Sequence, residues 1–118
     1  MSSTDLVVWG VVAHTVADWL LQNDWMAVNK MSLRHPAAWV HSSLHVAALL
    51  LVFSWPAALF LGVSHLLIDT RKPRDWWQTT IRQTRSGEVS LHVAFWVDQA
   101  MHIFCIAVAA LIEGNRLG

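Results

Sequence analysis

Histidine and aspartate pairs spaced four residues apart interrupt the apolar stretches of this 118-residue chain. On an α-helix, residues i and i+4 project from the same face one turn apart, so each pair places two metal-ligating side chains along one stripe. The four pairs are His14 with Asp18, His41 with His45, His65 with Asp69, and Asp98 with His102. Imidazole and carboxylate are the donor groups of many metal sites, and the pattern therefore predicts a metal bound between helices.

A bound metal would also explain how the chain tolerates these residues. A charged group at the centre of a bilayer costs roughly 2.5–3.5 kcal/mol even on the mildest scales, so eight such residues must face one another and be neutralised. Two other interpretations stay open, namely a proton relay and a metal-free polar network, and any single pair could be a buried structural interaction. No Lys or Arg interrupts the apolar stretches, and all four pairs share one spacing. We therefore favour a metal.

The elements that carry the pairs are four apolar stretches, at about 6–21, 37–53, 57–69 and 93–112. With 55% hydrophobic and 14% charged residues, the composition is typical of a membrane protein. We predict an all-α fold, an integral membrane four-helix bundle with the metal site between its helices, forming one domain over residues 1–118. The expected helices cover 5–23, 37–53, 56–70 and 89–113, with an interfacial helix at 75–86. The third stretch is short for a span and could be a re-entrant half-helix.

Basic residues predict the orientation of this bundle. They fall mainly in two loops, with Lys30 and Arg34 in the first and Arg71, Lys72, Arg74, Arg82 and Arg85 in the second. Because cytoplasmic loops are rich in Lys and Arg, both loops are expected inside and both termini outside. The expected location is the plasma membrane, crossed several times, with lipids as partners and a homo-oligomer left open. Eight basic residues balance eight acidic ones, so a nucleic-acid partner is not expected.

Zinc is the first choice of cofactor, as one or two ions, with iron or manganese as alternatives, because mixed imidazole and carboxylate ligands suit all three. Eight ligands suffice for two ions if water completes each coordination shell. The zinc-protease motif is absent, since no Glu follows His41 to act as general base. Polar neighbours of the pairs are expected to hold a ligand's other ring nitrogen or carboxylate oxygen. These neighbours are Gln22, Ser64 and Gln99.

The same residues carry a resemblance to a known family. Its motifs here are His14 to Asp18 continuing to Gln22, then Trp25-Met26-Ala27 and Lys30, then His41 and His45, then His65 to Asp69 with Lys72, then Asp98-Gln99 and His102. In order and spacing they resemble the small integral membrane proteins of domain-of-unknown-function family 3307, seen in bacteria and bacteriophages. The resemblance spans roughly residues 6–112 and implies a polytopic membrane protein. The chain is also similar, more distantly, to membrane-bound proteins labelled metal-dependent hydrolases.

The leading hypothesis is a metal-dependent membrane hydrolase that acts at the cytoplasmic interface on a phospholipid or lipid-linked phosphate. A bound metal would lower the pKa of a coordinated water to about 7, with Asp18 or Asp69 as the catalytic carboxylate. Lys30 and Lys72 are candidates to meet the substrate phosphate, although basic residues there could serve topology alone. The first alternative is a divalent-metal transporter or sensor. Further alternatives are a di-iron membrane redox enzyme and a phage membrane protein in which the metal is structural.

Overall fold

The chain is helical throughout its described part. The computed structural model describes residues 1–83 and 87–117, and within them no strand occurs. A π-helical turn, Val16–Leu20, directly continues the first helix. The helices are α1 (Ser3–Thr15), α2 (Asp24–Asn29), α3 (Pro36–Leu49), α4 (Trp55–Ile68), α5 (Lys72–Thr80) and α6 (Gly87–Leu117). The prediction of an all-α chain is confirmed at this level.

Helix starts follow local capping chemistry. Ser2 and Asp5 form a capping box in which each backbone N–H donates to the other's side chain at 3.1 Å. At the start of α2, the Asn23 side chain accepts from the Met26 N–H at 3.0 Å. No helix is expected from the sequence at 24–29, although Asn23 followed by an acidic residue is a helix-start signal. Pro36 and Pro56 lie in the first turns of α3 and α4, where a missing N–H costs nothing.

The helix bounds differ from the expected ones mainly in length. α1 with its π turn covers 3–20 rather than 5–23, and α6 covers 87–117 rather than 89–113. α3 and α4 have 14 residues each, which corresponds to about 21 Å of helix against the roughly 30 Å of a bilayer core. α5, at 72–80, occupies the first part of the interfacial segment expected at 75–86. Residues 84–86, with Arg85, lie outside the described residues.

The π-helical turn gives one aspartate an unexpected direction. The backbone N–H of Leu21 donates to the Val16 carbonyl at 3.1 Å, which is an i to i+5 bond in place of the usual i to i+4. Asp18 lies in the middle of this turn and is buried. The extra residue rotates Asp18 relative to a regular α-helical continuation of α1. Spacing alone does not reveal such a turn.

The four longest helices pack side by side in a closed ring. Within the described residues, α1 contacts α3 and α6, and α4 contacts the same two helices from the opposite side. One half of the interior is apolar and holds the core cluster. This cluster comprises Leu6, Ala13, Leu49, Phe53, Ala58, Leu61, Ile106, Ala109 and Ala110. Along every helix of the ring the His and Asp residues lie beyond these positions, so the other half of the interior is polar.

Many of the large apolar side chains lie on the outer surface of the ring. Leu20, Leu51 and Leu91 are exposed to 76%, 87% and 73%, and Trp and Phe side chains are exposed on several helices. Within the described residues, one helical segment, Val89–Asn115 in α6, is long and apolar enough to cross a membrane. α4 is apolar but shorter. By length and composition the structure thus supports one spanning helix, fewer than the four expected.

Candidate metal centre

The four residue pairs meet in the polar half of the ring. Seven of the eight side chains are buried, and Asp98 is partly exposed. The eight residues fall into three overlapping groups whose candidate ligand atoms lie within 4.8 Å of one another. The groups are Asp18 with His41, His45 and His65; His14 with His65 and His102; and Asp69 with Asp98 and His102. Side chains that are far apart in sequence are thus brought to ligand-to-ligand distances.

A close approach of α3 and α4 brings their three histidines together. Ser42 Oγ donates to the Gly62 carbonyl at 2.7 Å, which ties the two helices together next to His41 and His45. A Cβ at Gly62 would collide with the Val46 side chain, so only glycine allows this spacing. As a result the His45 and His65 rings stack with centroids 3.5 Å apart.

Asp18 links α1 to α3 at the centre. Its Oδ1 lies 3.1 Å from His41 Nε2 and 3.0 Å from His45 Nε2. Its Oδ2 lies 3.2 Å from His14 Nε2 on its own helix. The π turn therefore directs this carboxylate at two helices at once.

Asp69, at the C-terminal end of α4, makes the matching contacts on the other side. Its Oδ2 lies 2.8 Å from His65 Nε2 and 3.3 Å from His41 Nε2. Its Oδ1 lies 3.2 Å from His102 Nε2 on α6. His41 is consequently within 3.3 Å of both carboxylates, between α1 and α4.

Some of these contacts have hydrogen-bond geometry, and this identifies the donor. An ionised carboxylate or a carbonyl oxygen can only accept. His45 Nε2 therefore donates to Asp18 Oδ1, and His102 Nε2 donates to Asp69 Oδ1. His14 Nε2 donates to Gln99 Oε1 at 3.2 Å, and the Gln99 amide donates to Asp98 at 3.4 Å. As oriented, these three histidines hold other groups in place through their Nε2 hydrogens.

Five other atoms of these side chains are fully buried and have no hydrogen-bond partner, namely His41 Nδ1, His41 Nε2, His45 Nδ1, His65 Nε2 and Asp69 Oδ2. Of these, His41 Nε2 and His65 Nε2 both lie within 3.3 Å of Asp69 Oδ2. His65 Nδ1 and His102 Nδ1 face each other at 3.2 Å. With both rings neutral and the His102 hydrogen on Nε2, His102 Nδ1 accepts from His65 Nδ1, and His65 Nε2 then carries a lone pair. That lone pair faces the Asp69 Oδ2 lone pairs at 2.8 Å. In that state the two atoms repel each other unless a proton or a metal ion lies between them.

The donor set fits a tetrahedral metal ion. The four His-to-Asp distances among His41 Nε2, His65 Nε2, Asp69 Oδ2 and Asp18 Oδ1 are 2.8, 3.1, 3.3 and 3.9 Å. Metal–ligand bonds of about 2.0–2.1 Å place the ligands of tetrahedral zinc roughly 3.3 Å apart. Two imidazoles and two carboxylates suit zinc, and also iron or manganese. The atoms that would hold the ion are therefore Asp18 Oδ1, His41 Nε2, His65 Nε2 and Asp69 Oδ2.

A cavity of about 370 Å³ opens beside this centre. Asp18, Asp69 and Asp98 line one side of it, and its basic lining residues are Lys30, Arg71 and Arg74. The Lys30 ammonium lies 3.9 Å from Asp69 Oδ2. A small molecule in the cavity could thus reach both the centre and the basic residues.

A family model described as "Protein of unknown function (DUF3307)" matches residues 6–116. The chain belongs to the DUF3307 family. The resemblance seen in the sequence motifs is confirmed at the level of the family, whose description states no activity. No curated protein and no solved structure matches the chain. The function of this DUF3307 member therefore has to be argued from the site itself.

The three polar neighbours predicted from the sequence make different contacts in this DUF3307 chain. Gln99 contacts His14 and Asp98, as described above. Gln22 lines the cavity, and its Oε1 is buried without a partner. Ser64 Oγ donates to the Leu61 carbonyl at 2.9 Å, a bond within α4, although Ser64 lies beside four of the histidines.

The basic residues around the centre also differ from the expected set. Lys30 lines the cavity, whereas Lys72 is exposed and is not among the described residues that line it. Arg71 and Arg74 take the place expected for Lys72. Lys72 and Arg74 lie two positions apart on α5 and so project from different sides of this helix. Arg71 lies in the turn before α5 and has a left-handed backbone with φ of 68°. Sequence spacing gave no sign of that turn.

Proposed function

We propose that this chain is a metal-dependent hydrolase, with zinc as the first choice of metal, that acts on a lipid substrate at a membrane interface. The observation that carries the proposal is the set of three buried, unpartnered atoms, His41 Nε2, His65 Nε2 and Asp69 Oδ2. Protein hydrogen bonds leave them unsatisfied, and a divalent cation would satisfy all three. The adjoining cavity provides room for a substrate and for water.

A bound divalent cation would supply Lewis acidity and would lower the pKa of a coordinated water to about 7. The chain's own residues would hold and orient the reactants. Asp18 and Asp69, the carboxylates proposed from sequence as catalytic, have side chains only 5% and 4% exposed and contact histidines on several sides. Asp98 lines the same cavity with 18% of its side chain exposed, so it is better placed to accept a proton from water.

A membrane location is part of this proposal. The ring of helices buries its His and Asp residues in one half of its interior and exposes many large apolar side chains on its outer surface, and it includes one helix long enough to span. We propose a multi-pass protein of the bacterial inner membrane with both termini outside. The cavity with Lys30, Arg71 and Arg74 would then face the cytoplasmic interface, as the distribution of basic residues favours.

The decisive experiment measures metal content and hydrolysis in the detergent-purified full chain. Elemental analysis is expected to find at least one divalent ion per chain. His41→Ala should lose this ion together with hydrolysis of lipid substrates. His92→Ala is the matched control, because His92 is exposed and lies outside the three ligand groups. Full metal content in His41→Ala, or turnover that survives removal of the metal, would refute the proposal.

Metal transport is the principal alternative. It is less favoured, because the apolar cluster from Leu6 to Ala110 fills the half of the ring beyond the histidines. An ion could leave the centre toward the cavity but would meet a tightly packed apolar interior in the other direction. Proteoliposomes loaded with a metal-sensitive dye separate the two functions, because the hydrolase proposed here predicts no ion uptake.

A further inference from the structure

The cavity beside the centre combines charges of both signs. Three carboxylates line it, those of Asp18, Asp69 and Asp98, and three cationic side chains also line it. Without a metal these formal charges cancel. A divalent cation at the centre would leave the lining with a net charge of plus two, in a site where burial strengthens electrostatic attraction. The metal-loaded cavity is thus suited to an anion.

The two arginines are held at the cavity by the turn that follows α4. Arg71 has a left-handed backbone, which is uncommon for a residue with a side chain. Its N–H donates to the Ile68 carbonyl at 3.0 Å, and its carbonyl accepts from the Asp75 N–H at 3.0 Å. The strained conformation is therefore fixed from both sides. Within six residues the chain delivers Asp69 to the centre and both Arg71 and Arg74 to the cavity.

Arg74 and Lys30 have restricted side chains. The Arg74 Nε and Nη2 contact Asp75 Oδ1 at 3.3 and 3.2 Å, and its side chain is only 20% exposed. The Lys30 side chain is also 20% exposed, and its ammonium is 3.9 Å from Asp69 Oδ2, too far for a hydrogen bond. Lys30 thus has donors to offer to a ligand beside the centre. Gln22 Oε1, buried and unpartnered in the same cavity, can accept from a hydroxyl group.

We propose that this cavity binds the phosphate group of the substrate, with Lys30, Arg71 and Arg74 as its cationic contacts. The inference rests on the proposed metal centre and narrows the substrate to a phosphate ester. Arginine suits this role because its planar fork of N–H donors matches phosphate oxygens, while lysine acts as a point charge. Gln22 would meet a hydroxyl of the attached headgroup.

The test is calorimetric titration of inorganic phosphate into the zinc-loaded full chain in detergent. We expect saturable binding that weakens at least tenfold in Arg74→Gln and in Lys30→Gln. Lys72→Gln is the matched control, since it removes the same charge two residues from Arg74 but outside the cavity lining, and its affinity should change less than twofold. Removing zinc should also weaken binding at least tenfold. Equal weakening in Lys72→Gln and Arg74→Gln, or no binding by the zinc-loaded chain, would overturn the inference.

Two additions keep the test decisive. If Arg74→Gln fails to fold, Arg74→Lys retains the charge and should bind with intermediate affinity. Competition then identifies the source of the phosphate: displacement by phosphatidic acid in nanodiscs indicates a lipid headgroup, and displacement by glycerol 3-phosphate alone indicates a soluble ester. Phosphate binding without any hydrolysis would refute the hydrolase and leave this site standing. Hydrolysis confined to phosphate-free esters, without phosphate binding, would refute the phosphate site and leave the hydrolase proposal standing.

Discussion

Replacing His102 tests whether this residue binds the metal itself or only orients the residues that bind it. His102 Nε2 donates to Asp69 Oδ1, and its Nδ1 accepts from His65 Nδ1, each at 3.2 Å. His102→Ala therefore removes two buried hydrogen bonds from two ligands of the proposed centre. At about 0.5–1.5 kcal/mol each, the loss is roughly 1–3 kcal/mol. This agrees with the 10- to 100-fold fall in metal affinity that usually follows loss of such a hydrogen-bond partner.

The assay is competition for zinc against a chromophoric chelator, followed by the absorption spectrum of the cobalt-substituted protein. His102→Ala should still bind one ion at the centre, with lower affinity and an unchanged tetrahedral cobalt spectrum. His102→Gln should recover part of the affinity, because its amide can both donate and accept. His65→Ala should instead lose the ion. If His102→Ala loses the ion as well, or alters the cobalt coordination, then His102 is a ligand and the hydrogen-bond reasoning is wrong.

Three further predictions concern the fold around the site. Gly62→Ala forces a Cβ into Val46 and should lower the free energy of unfolding by about 1–3 kcal/mol in thermal melts, with reduced metal content. Glu113→Ala removes the acceptor of the Ser54 N–H, at 2.9 Å, and should cost about 1–3 kcal/mol while metal content stays at the wild-type value, because this contact lies at the apolar end. Chelation of the metal should lower the melting temperature of the wild type. If zinc had been present at 100 times its Kd, the free energy of unfolding should fall by about 2.7 kcal/mol.

The convergence of the His and Asp pairs could be foreseen, because i and i+4 positions share a helix face whatever the packing. Their individual roles could not. Whether a ring nitrogen donates, as in His45 and His102, or points its lone pair at a carboxylate, as in His65, depends on side-chain orientation across helices. Sequence spacing treats all of these histidines alike.

Local geometry accounts for the other differences. Lys72 and Arg74 are equivalent in a count of basic residues, but they lie two positions apart on α5 and project from different sides of it, and of the two only Arg74 lines the cavity. The length of α3 differs from the expected one for a related reason. The apolar sequence continues to residue 53, but α3 ends at Leu49, so the helix is shorter than the apolar stretch 37–53.

Because of the π-helical turn at Val16–Leu20, the number of residues in this segment, and not only their type, determines where Asp18 points. Such a turn behaves as a regular helix that has absorbed one surplus residue. Deleting Val16 would let the helix close normally and would rotate Asp18 by about 100° around the axis, away from α3. A deletion of one residue there would therefore misdirect Asp18 although every ligand residue is still encoded.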